Sequence, residues 1–426
     1  MTLPTVLVDI GFTSPTVGDV FTVGDDELGQ VGVYPLGDPD VWTDVTPYVK
    51  SWSVRRGATR GDDPTLRYEA GTATVVLNDG DRRFDPENLD GPHVSAGVSQ
   101  VEPMRRVRIR AVWDGVTYPL FQGFSDDFQP DYQGNNWTYT TVTATDAFKV
   151  FSAYEREAVA PTAGGQNSGN RVTLILNGIG WPANMRAVSQ GNTLLQETTL
   201  AGNALTELQL TQDSEMGEFY IDAMGRAVFR NRRAILTQTR SKVSQALFGD
   251  GGYDATGEIP YADAKPSTGD EGMANSVSIA REGGTAQLSE DVVSISRYLT
   301  KSHQRHDLIV DDDATSAQIA AAIRYQFSMP ARRFASLDFR TPRDEVADVS
   351  WPQILGREFA DRITIVRRPA GGGTPISRQC FVRGVSHASD GADWSTSWVL
   401  QSADRYAYLT IGDATMGRIG YNAVSY

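Results

Sequence analysis

The alternation of apolar and polar side chains is clearest between residues 40 and 150. Within 106–113, residues 107, 109, 111 and 113 are apolar, and residues 106, 108 and 110 are arginine. An extended backbone with this period of two has one apolar face and one basic face. The pattern therefore predicts a β-strand that is buried on one side.

Other segments of this region continue the β pattern. Asp114-Gly115 is a favoured hairpin turn, after which Val116–Phe121 would return along the first strand. Ala73–Leu77 precedes a second turn sequence, and Trp137–Thr145 is dense in Thr, Tyr and Val, which suit a half-buried pleated surface. Hairpins at such short spacing favour a β-barrel or a sandwich.

The periodicity changes near residue 150. Apolar residues spaced i, i+3, i+4 and i+7 over 172–179 predict a short helix that Ser168 or Asn170 would cap. A second helix is expected to begin at Asn203, and a hairpin is expected over 218–230. These elements indicate a small α+β insert.

The C-terminal half returns to strands. The Gly, Asp and Pro content of 240–274 predicts a long loop. One strong helix is predicted over about 315–328, with Asp313 or Thr315 as its cap. Strands are predicted at Asn275–Arg281, Asp291–Tyr298, Phe334–Phe339, Ile363–Arg367, Arg378–Val385 and Trp394–Gln401.

Together these patterns predict a multi-domain, mainly β protein with α+β inserts. At 426 residues the chain is too long for one compact core. The predicted division is an N-terminal arm (1–36), a β-barrel-like domain (37–150), an α+β insert (151–240), a second β-barrel-like domain with one helix (241–410) and a C-terminal tail (411–426).

Composition excludes some classes of function. The net charge of −14 disfavours binding to phosphate backbones as the main activity. The chain opens without a cationic stretch followed by an apolar one, and no apolar run approaches the roughly 18 residues of a membrane span. We therefore expect synthesis in the cytoplasm, no signal peptide and no membrane insertion.

Histidine offers little candidate chemistry. His303 and His306 are three residues apart, but their polar segment lacks helical periodicity, which weakens a zinc site. His387 lies near Asp390 and Asp393, yet no nucleophile-elbow motif accompanies a Ser-His-Asp arrangement.

Three other features carry an ordinary structural interpretation. The aspartates of Asp79–Asp85 resemble a calcium loop but lack its Gly and Glu positions, so a turn with salt-bridging charges is expected. Cys380 is the single cysteine, which excludes an intramolecular disulfide, and we expect a buried, inert thiol. Gly371–Gly373 predicts a turn, since no helix pattern follows it.

Aromatic residues in predicted loops, such as Trp42, Tyr132 and Tyr253, could stack on sugars or anchor protein interfaces. Packing at strand edges is the expected role for most of them. No catalytic, cofactor-binding or metal-binding residues are predicted, and no cofactor is expected.

Several segments taken together resemble minor tail proteins of actinobacterial siphophages, over most of the chain from about residue 40 onward. The segments that carry the resemblance are Asp44–Gly57, Glu69–Leu77, Arg82–Pro86, Pro103–Ile109, Leu120–Phe124, Thr143–Phe148, 203–230, Gly384–Leu400 and Gly412–Gly417. Residues 1–36 match nothing in that pattern and are interpreted as an arm that clasps a neighbouring subunit.

The resemblance implies a virion protein of the tail tip, a baseplate hub with two β-barrel-like domains and α+β inserts. It implies a ring, trimeric by preference, that continues the tail tube and lets DNA pass through its channel. The implied partners are the distal tail protein, the tape measure protein and tail fibre or spike proteins. Because the chain stops at Tyr426, soon after the shared end motif, no lytic or receptor-binding extension is expected.

Two alternatives stay open at this point. One is a hexameric distal tail ring protein, since the N-terminal barrel region fits either ring. The other is a tail-tip cell-wall hydrolase or carbohydrate-binding protein, which would need a cleft with perturbed acids or exposed aromatic side chains. A structural, non-enzymatic role is the prediction.

Overall fold

The computed structural model describes residues 2–13, 42–133, 137–156 and 162–406. The predicted C-terminal tail and most of the predicted N-terminal arm lie outside these residues. The first nine strands are Thr5–Gly11 (β1), Thr43–Asp44 (β2), Val49–Gly57 (β3), Glu69–Asn78 (β4), Val94–Ser95 (β5), Val98–Ser99 (β6), Arg106–Trp113 (β7), Val116–Gln133 (β8) and Trp137–Thr145 (β9).

The middle of the chain mixes helices with short strands. Its elements are Phe148–Ala153 (α1), Glu155–Arg156 (β10), Gln166–Asn167 (β11), Ser168–Gly178 (α2), Arg186–Val188 (β12), Leu194–Leu195 (β13), Gly202–Asn203 (β14), Ala204–Glu215 (α3), Glu218–Ile221 (β15), Ala227–Arg230 (β16), Ala234–Thr237 (α4) and Thr239–Lys242 (α5). Asn203 caps α3 by accepting from the backbone N–H groups of Leu205 and Thr206, as predicted.

The remaining elements alternate strands with longer helices. They are Leu247–Gly249 (β17), Tyr253–Thr256 (α6), Asp263–Ser267 (β18), Ser276–Arg281 (β19), Gln287–Glu290 (β20), Val292–Tyr298 (α7), Ser302–Leu308 (β21), Asp313–Phe327 (α8), Arg333–Arg340 (β22), Asp344–Gly356 (α9), Arg362–Arg367 (β23), Ile376–Ser389 (β24) and Trp394–Ser402 (β25). Short 3₁₀ helices cover Thr46–Tyr48, Ala183–Met185 and Ala403–Tyr406.

Thirteen of the described strands form one sheet, so the mainly β character is confirmed. Its path runs β18-β22-β25-β24-β3-β4-β9-β8-β7-β1-β2, with β23 beside β24 and β17 beside β23. The second half of the 14-residue β24 pairs antiparallel with β3. This pairing joins the C-terminal strands β17, β18 and β22–β25 to the N-terminal strands β1–β4 and β7–β9. Among the described strands this path does not close, and the two expected barrels are instead parts of one open sheet.

The predicted strand pair around Asp114-Gly115 is confirmed. Asp114 and Gly115 have φ values of 47° and 73°, the left-handed pair that a two-residue hairpin turn requires. Val107, Ile109 and Ala111 are buried on one face of β7, as the alternation predicts.

Two of the predicted elements are wrong. Asp291–Tyr298 is not a strand, because Asp291 accepts from the Ser294 N–H and caps α7 instead. The segment 240–274 is not a long loop. There β17 pairs with β23 and β18 pairs with β22.

Sequence patterns also misplaced some helix boundaries. The cap of α2 is Asn167 and the cap of α8 is Asp312, each one residue or more before the predicted cap. The helix α9 escaped prediction because Pro352 interrupts its pattern, although Ala347, Trp351 and Ile354 are buried on one side of it.

Candidate functional site

One face of the main sheet carries small hydroxyl side chains across five neighbouring strands, β25, β24, β3, β4 and β9, and the charged Asp338 and Arg340 on the adjoining β22. Residues directly opposite one another form rows that cross the sheet. We call their surface the hydroxyl face. Its rows are Asp338–Ser397–Ser386–Arg55–Thr72–Thr145 and Arg340–Ser395–Ala388–Ser53–Thr74–Thr143.

The residues between these rows point to the other side of the sheet and are buried there. They are Phe339, Thr396, His387, Val54, Ala73 and Ala144. This division follows from the period of two in a strand, which sends alternate side chains to opposite faces. The sheet therefore has one packed face and one face that is free of large apolar side chains along these rows.

An open groove of about 690 Å³ runs over the hydroxyl face. Its charges are largely matched: Arg55 pairs with Glu69 at 3.2 Å, and Ser397 donates to Asp338 at 2.6 Å. Short hydroxyls bind water well but offer neither a deep pocket nor concentrated charge. Such a surface suits a wall along which a hydrated polymer slides without being held.

A buried ion network ties the insert to the main sheet. Arg383 on β24 is fully buried and donates to Glu218 on β15, to the Tyr68 hydroxyl at 3.1 Å and to Gln401 at 2.7 Å. Burial alone would raise the pKa of Glu218, but the charges of Arg383 and Arg230 outweigh it and the pKa lies below its usual range. Glu218 is therefore ionised and holds both arginines.

A second buried network joins the loop before β4, the strand β22 and the 3₁₀ helix after β25. The Asp62 carboxylate accepts from Arg333 at 2.7 Å and from Arg405 at 3.0 and 3.1 Å. All three side chains are at most 6% exposed. Arg405 also donates to the Gln326 carbonyl at 2.6 Å, so this network fixes the end of α8 as well.

An exposed apolar patch projects from β20 and α7. Leu288, Val292, Val293 and Leu299 are 64–78% exposed, and we call these four residues the apolar patch. Leu299 has φ 63° and ψ 174°, a conformation that costs an L residue about 1–3 kcal/mol. The buried Asn275 holds it there by donating to the Leu299 carbonyl at 2.8 Å.

Two solved structures match this chain nearly from end to end. The tail protein from Neisseria meningitidis MC58 is 10% identical, with 94% of this chain and 97% of that chain covered and a TM-score of 0.55. The 43 kDa tail protein of prophage MuSo2 from Shewanella oneidensis is 10% identical, with 94% and 98% covered and a TM-score of 0.54. The chain has the fold of these two tail proteins.

The resemblance to tail proteins is thus confirmed at the level of the fold. No family model matches the sequence, and no curated protein is similar to it. At 10% identity, the likeness to these tail proteins shows the fold alone.

The tail-protein fold separates the predicted histidine pair. His303 and His306 lie on β21 and, three positions apart in a strand, point to opposite faces. His303 is within 3.4 Å of the Thr65 hydroxyl, and His306 is within 2.9 Å of the Ser278 hydroxyl. No group of three or more His, Cys, Asp or Glu side chains placed to hold a metal occurs among the described residues.

His387 and the nearby Asp390 have different hydrogen-bond partners. His387 is buried and bonds to the Thr396 hydroxyl at 2.8 Å, and burial lowers its pKa to about 3. Asp390 instead accepts the backbone N–H groups of Ala392 and Asp393 in a turn. The ring of His387 is therefore neutral and serves the packed face of the sheet.

The aspartates of 79–85 form a turn. Asp79 is fully buried and accepts from Thr140 at 2.7 Å, whereas Asp81 pairs with Arg83. Asp85 binds Arg82 at 2.6 Å and also accepts from the hydroxyl of Tyr132, one of the candidate aromatic residues.

The other singled-out residues have local partners. Trp42 stacks on Arg108, with 4.2 Å between the guanidinium carbon and the ring centre, and Tyr253 packs against the main core. Cys380 is buried, which raises the pKa of its thiol to about 12. Gly372 and Gly373 turn the chain between β23 and β24 with positive φ.

Among the described helices, none is both long and apolar enough to cross a membrane.

Sequence reasoning missed the residues that organise this site. Glu218, Arg383 and Asp62 look like ordinary surface charges in the sequence, and only their long-range partners reveal burial. A weak signal existed for the hydroxyl face, since β4 and β9 are rich in threonine, but their alignment with β24 and β25 depends on the fold.

Proposed function

We propose that this chain is a structural subunit of a phage tail tip, a baseplate hub whose copies form a ring below the tail tube. The observation that carries the proposal is the fold likeness to two tail proteins over 94% of this chain and at least 97% of theirs. The sequence resemblance to minor tail proteins of actinobacterial siphophages points the same way.

In this proposal three copies surround an axial channel, and the hydroxyl face lines it. A DNA duplex carries about one negative charge per 1.7 Å, so a basic wall would hold it by releasing counterions. These rows carry two arginines among their twelve positions, Arg340 and the Glu69-paired Arg55, and therefore lack such a basic surface. DNA would pass along this wall without binding.

The apolar patch supplies a contact for assembly. Four large apolar side chains at 64–78% exposure lie within twelve positions of one another in the sequence, and exposed apolar patches mark interaction sites. Closed rings use heterologous contacts between different faces of sister copies. The patch would meet a neighbouring copy or one of the adjoining components, namely the distal tail, tape measure and fibre or spike proteins.

The ring is tested by mass photometry of the purified chain, alone and with its tail partners. We expect trimers. Substitution of Val292 and Val293 by Ser should lower the apparent affinity of trimer formation at least tenfold, while the thermal unfolding temperature stays unchanged. Leu89→Ser is the matched control, because Leu89 is 59% exposed but lies outside the patch. Hexamers would favour a distal tail ring protein instead, and persistent monomers would contradict ring formation.

A cell-wall hydrolase or a carbohydrate-binding protein remains the second function to test. The groove on the hydroxyl face contains Asp338 and Asp263, but Asp338 is held by a serine and the pocket is shallow. Asp146, whose pKa burial raises to about 7, is sealed under the N–H groups of Gly71 and Phe148. Turnover of host peptidoglycan that Asp338→Asn abolishes would establish the enzymatic alternative, and glycan binding lost on Tyr132→Ala would establish the sugar-binding one.

A further inference from the structure

The strand β12 forms an edge of the small sheet in the insert, where β16 and then β15 lie on one side of it. Ser189, directly after β12, donates its N–H to the Phe229 carbonyl at 2.9 Å, so Ser189 and Ala187 turn their backbone groups toward β16. The N–H and carbonyl groups of Arg186 and Val188 therefore point to the outer edge. No described residue bonds to them there.

An open cleft of about 450 Å³ lies over one face of the same sheet. The row Ala187–Val228–Tyr220 crosses its floor from β12 to β15, and the Phe359 ring lies against Tyr220 with 5.0 Å between the ring centres. Ala187 is exposed, whereas Tyr220 and Val228 are at most 8% exposed. The cleft therefore leads from the edge strand onto a buried, apolar floor.

The charges around the cleft cancel one another. Two positive and two negative side chains line it, and each lies in an ion pair; these residues are Arg230, Arg240, Glu358 and Asp361. A charged group that entered the cleft would lose its hydration without meeting a free counter-charge, which is unfavourable. The cleft therefore suits an occupant with uncharged, apolar side chains.

We propose that β12 receives an extended segment of a partner protein, which adds a strand at this edge and places uncharged side chains in the cleft. An extended polypeptide offers alternating N–H and carbonyl groups, and these complement the outward backbone groups of Arg186 and Val188. Alternate side chains of the added strand would then point to the cleft side of the sheet.

The described edge strands of the chain itself fit this site poorly. The strand β18 exposes Lys265, β20 exposes Glu290 and β21 exposes Asp307, so each would bring a charge to the neutral cleft. The partner is therefore a different protein rather than a second copy of this chain. In a tail tip it would be an adjoining tail component, and only that assignment rests on the proposed function.

Binding of short strand-forming peptides to the purified full chain tests the proposal. The probes are fluorescently labelled peptides of the sequence Thr-Val-Thr-Xaa-Thr-Val-Thr, in which Xaa is Leu, Phe, Val or Ala, and fluorescence anisotropy measures their dissociation constants. The decisive variant is Val188→Pro, which removes an outward N–H and leaves the bonds to β16 in place. Val188→Ala is the matched control, because it also loses the valine side chain but keeps the N–H.

We expect saturable binding, which Val188→Pro weakens about tenfold relative to Val188→Ala, since the two variants differ by one hydrogen bond at the edge. Equal affinities of the two variants would overturn the proposal. The absence of saturable binding of every probe to the wild-type chain would overturn it as well.

A second pair of variants keeps the test decisive if proline disturbs the fold. Ala187→Glu places a charge at the exposed end of the cleft, and it should bind the probes about tenfold more weakly than Ala187→Gln, which has the same size without the charge. Equal binding by these two variants would contradict a site for uncharged side chains.

Mass photometry separates this inference from ring formation. Val188→Pro should leave trimers unchanged, because a sister copy does not occupy the edge. Loss of trimers in Val188→Pro but not in Val188→Ala would overturn the choice of a different protein as the partner. A chain that binds the probes but stays monomeric contradicts only the hub role, whereas trimers that bind no probe contradict only this inference.

Discussion

Arg333 donates to the Asp62 carboxylate over 2.7 Å, although 271 positions separate the two residues in the sequence. Arg405 binds the same carboxylate, so Asp62 is the buried acid shared by two buried guanidinium groups. Arg333 also pairs with the exposed Glu271 at 3.2 Å. The three charges join the loop before β4, the strand β22 and the end of the described chain. Their burial makes the fold depend on every partner being present.

Asp62→Asn should therefore destabilise the protein strongly. Removing one partner of a buried ionic group leaves uncompensated charge, which costs about 3–5 kcal/mol. Urea unfolding followed by tryptophan fluorescence measures the loss. Asp63→Asn is the matched control: this neighbour is exposed and accepts only the Thr65 N–H locally, so a cost below about 1 kcal/mol is expected. Equal costs for the two variants would contradict a buried role for Asp62.

The pair Glu218 and Arg383 should behave non-additively. Glu218→Gln leaves Arg383 buried without its counter-charge and should cost about 3–5 kcal/mol, as should Arg383→Met. The double variant should be more stable than the sum of the two losses predicts, because Arg383 is then no longer buried without its counter-charge, while the loss of the Arg230–Glu218 pair is the same in both Glu218 variants. A double-mutant cycle measures this coupling, and simple additivity would speak against the ion pair.

His387 should make stability fall in weak acid. The folded-state pKa is about 3, below the ordinary value of about 6.5, so below pH 6.5 the unfolded chain takes up a proton that the folded protein refuses. Between pH 7 and pH 5 this proton uptake lowers the free energy of unfolding by about 2 kcal/mol, and the loss keeps growing until the pH reaches the folded-state pKa of about 3. Unfolding of His387→Gln at both pH values should show that much less pH dependence. His306→Gln, at an exposed position, should retain the wild-type slope.

The variant Leu299→Gly should be more stable than the variant Leu299→Ala. With φ 63° and ψ 174°, the backbone occupies a region that glycine alone adopts freely, so Leu299→Gly should be about 1 kcal/mol more stable than Leu299→Ala. Both variants remove an exposed apolar side chain and should weaken assembly equally. Thermal unfolding separates the two effects, and a Gly variant less stable than the Ala variant would rule out strain at this position.

Local patterns predicted much of the fold. The strand β9 begins and ends where the sequence predicted, and the hairpin at Asp114-Gly115 and the start of α3 are also confirmed. These elements carry their own signals, namely alternation, turn residues and a capping asparagine. The mainly β class followed from the same signals.

Elements that tertiary contacts decide escaped prediction. The short β17 and β18 exist because β23 and β22 supply partners. The helix α7 was missed because its β-branched residues Val292, Val293 and Ile295 favour a strand by propensity. The open sheet in place of two barrels arises from the pairing of β24 with β3, some 330 residues apart, which no local pattern encodes. The hydroxyl face becomes visible only when that pairing is known.

Electron cryo-microscopy of intact virions tests the central claim most directly. The account predicts three copies of this chain in a ring at the tail tip, with Ser53, Thr74 and Ser395 of the hydroxyl face lining the axial channel. A map that places this face against protein or away from the axis would contradict the channel assignment. Purified virions that lack the chain would contradict the structural role altogether.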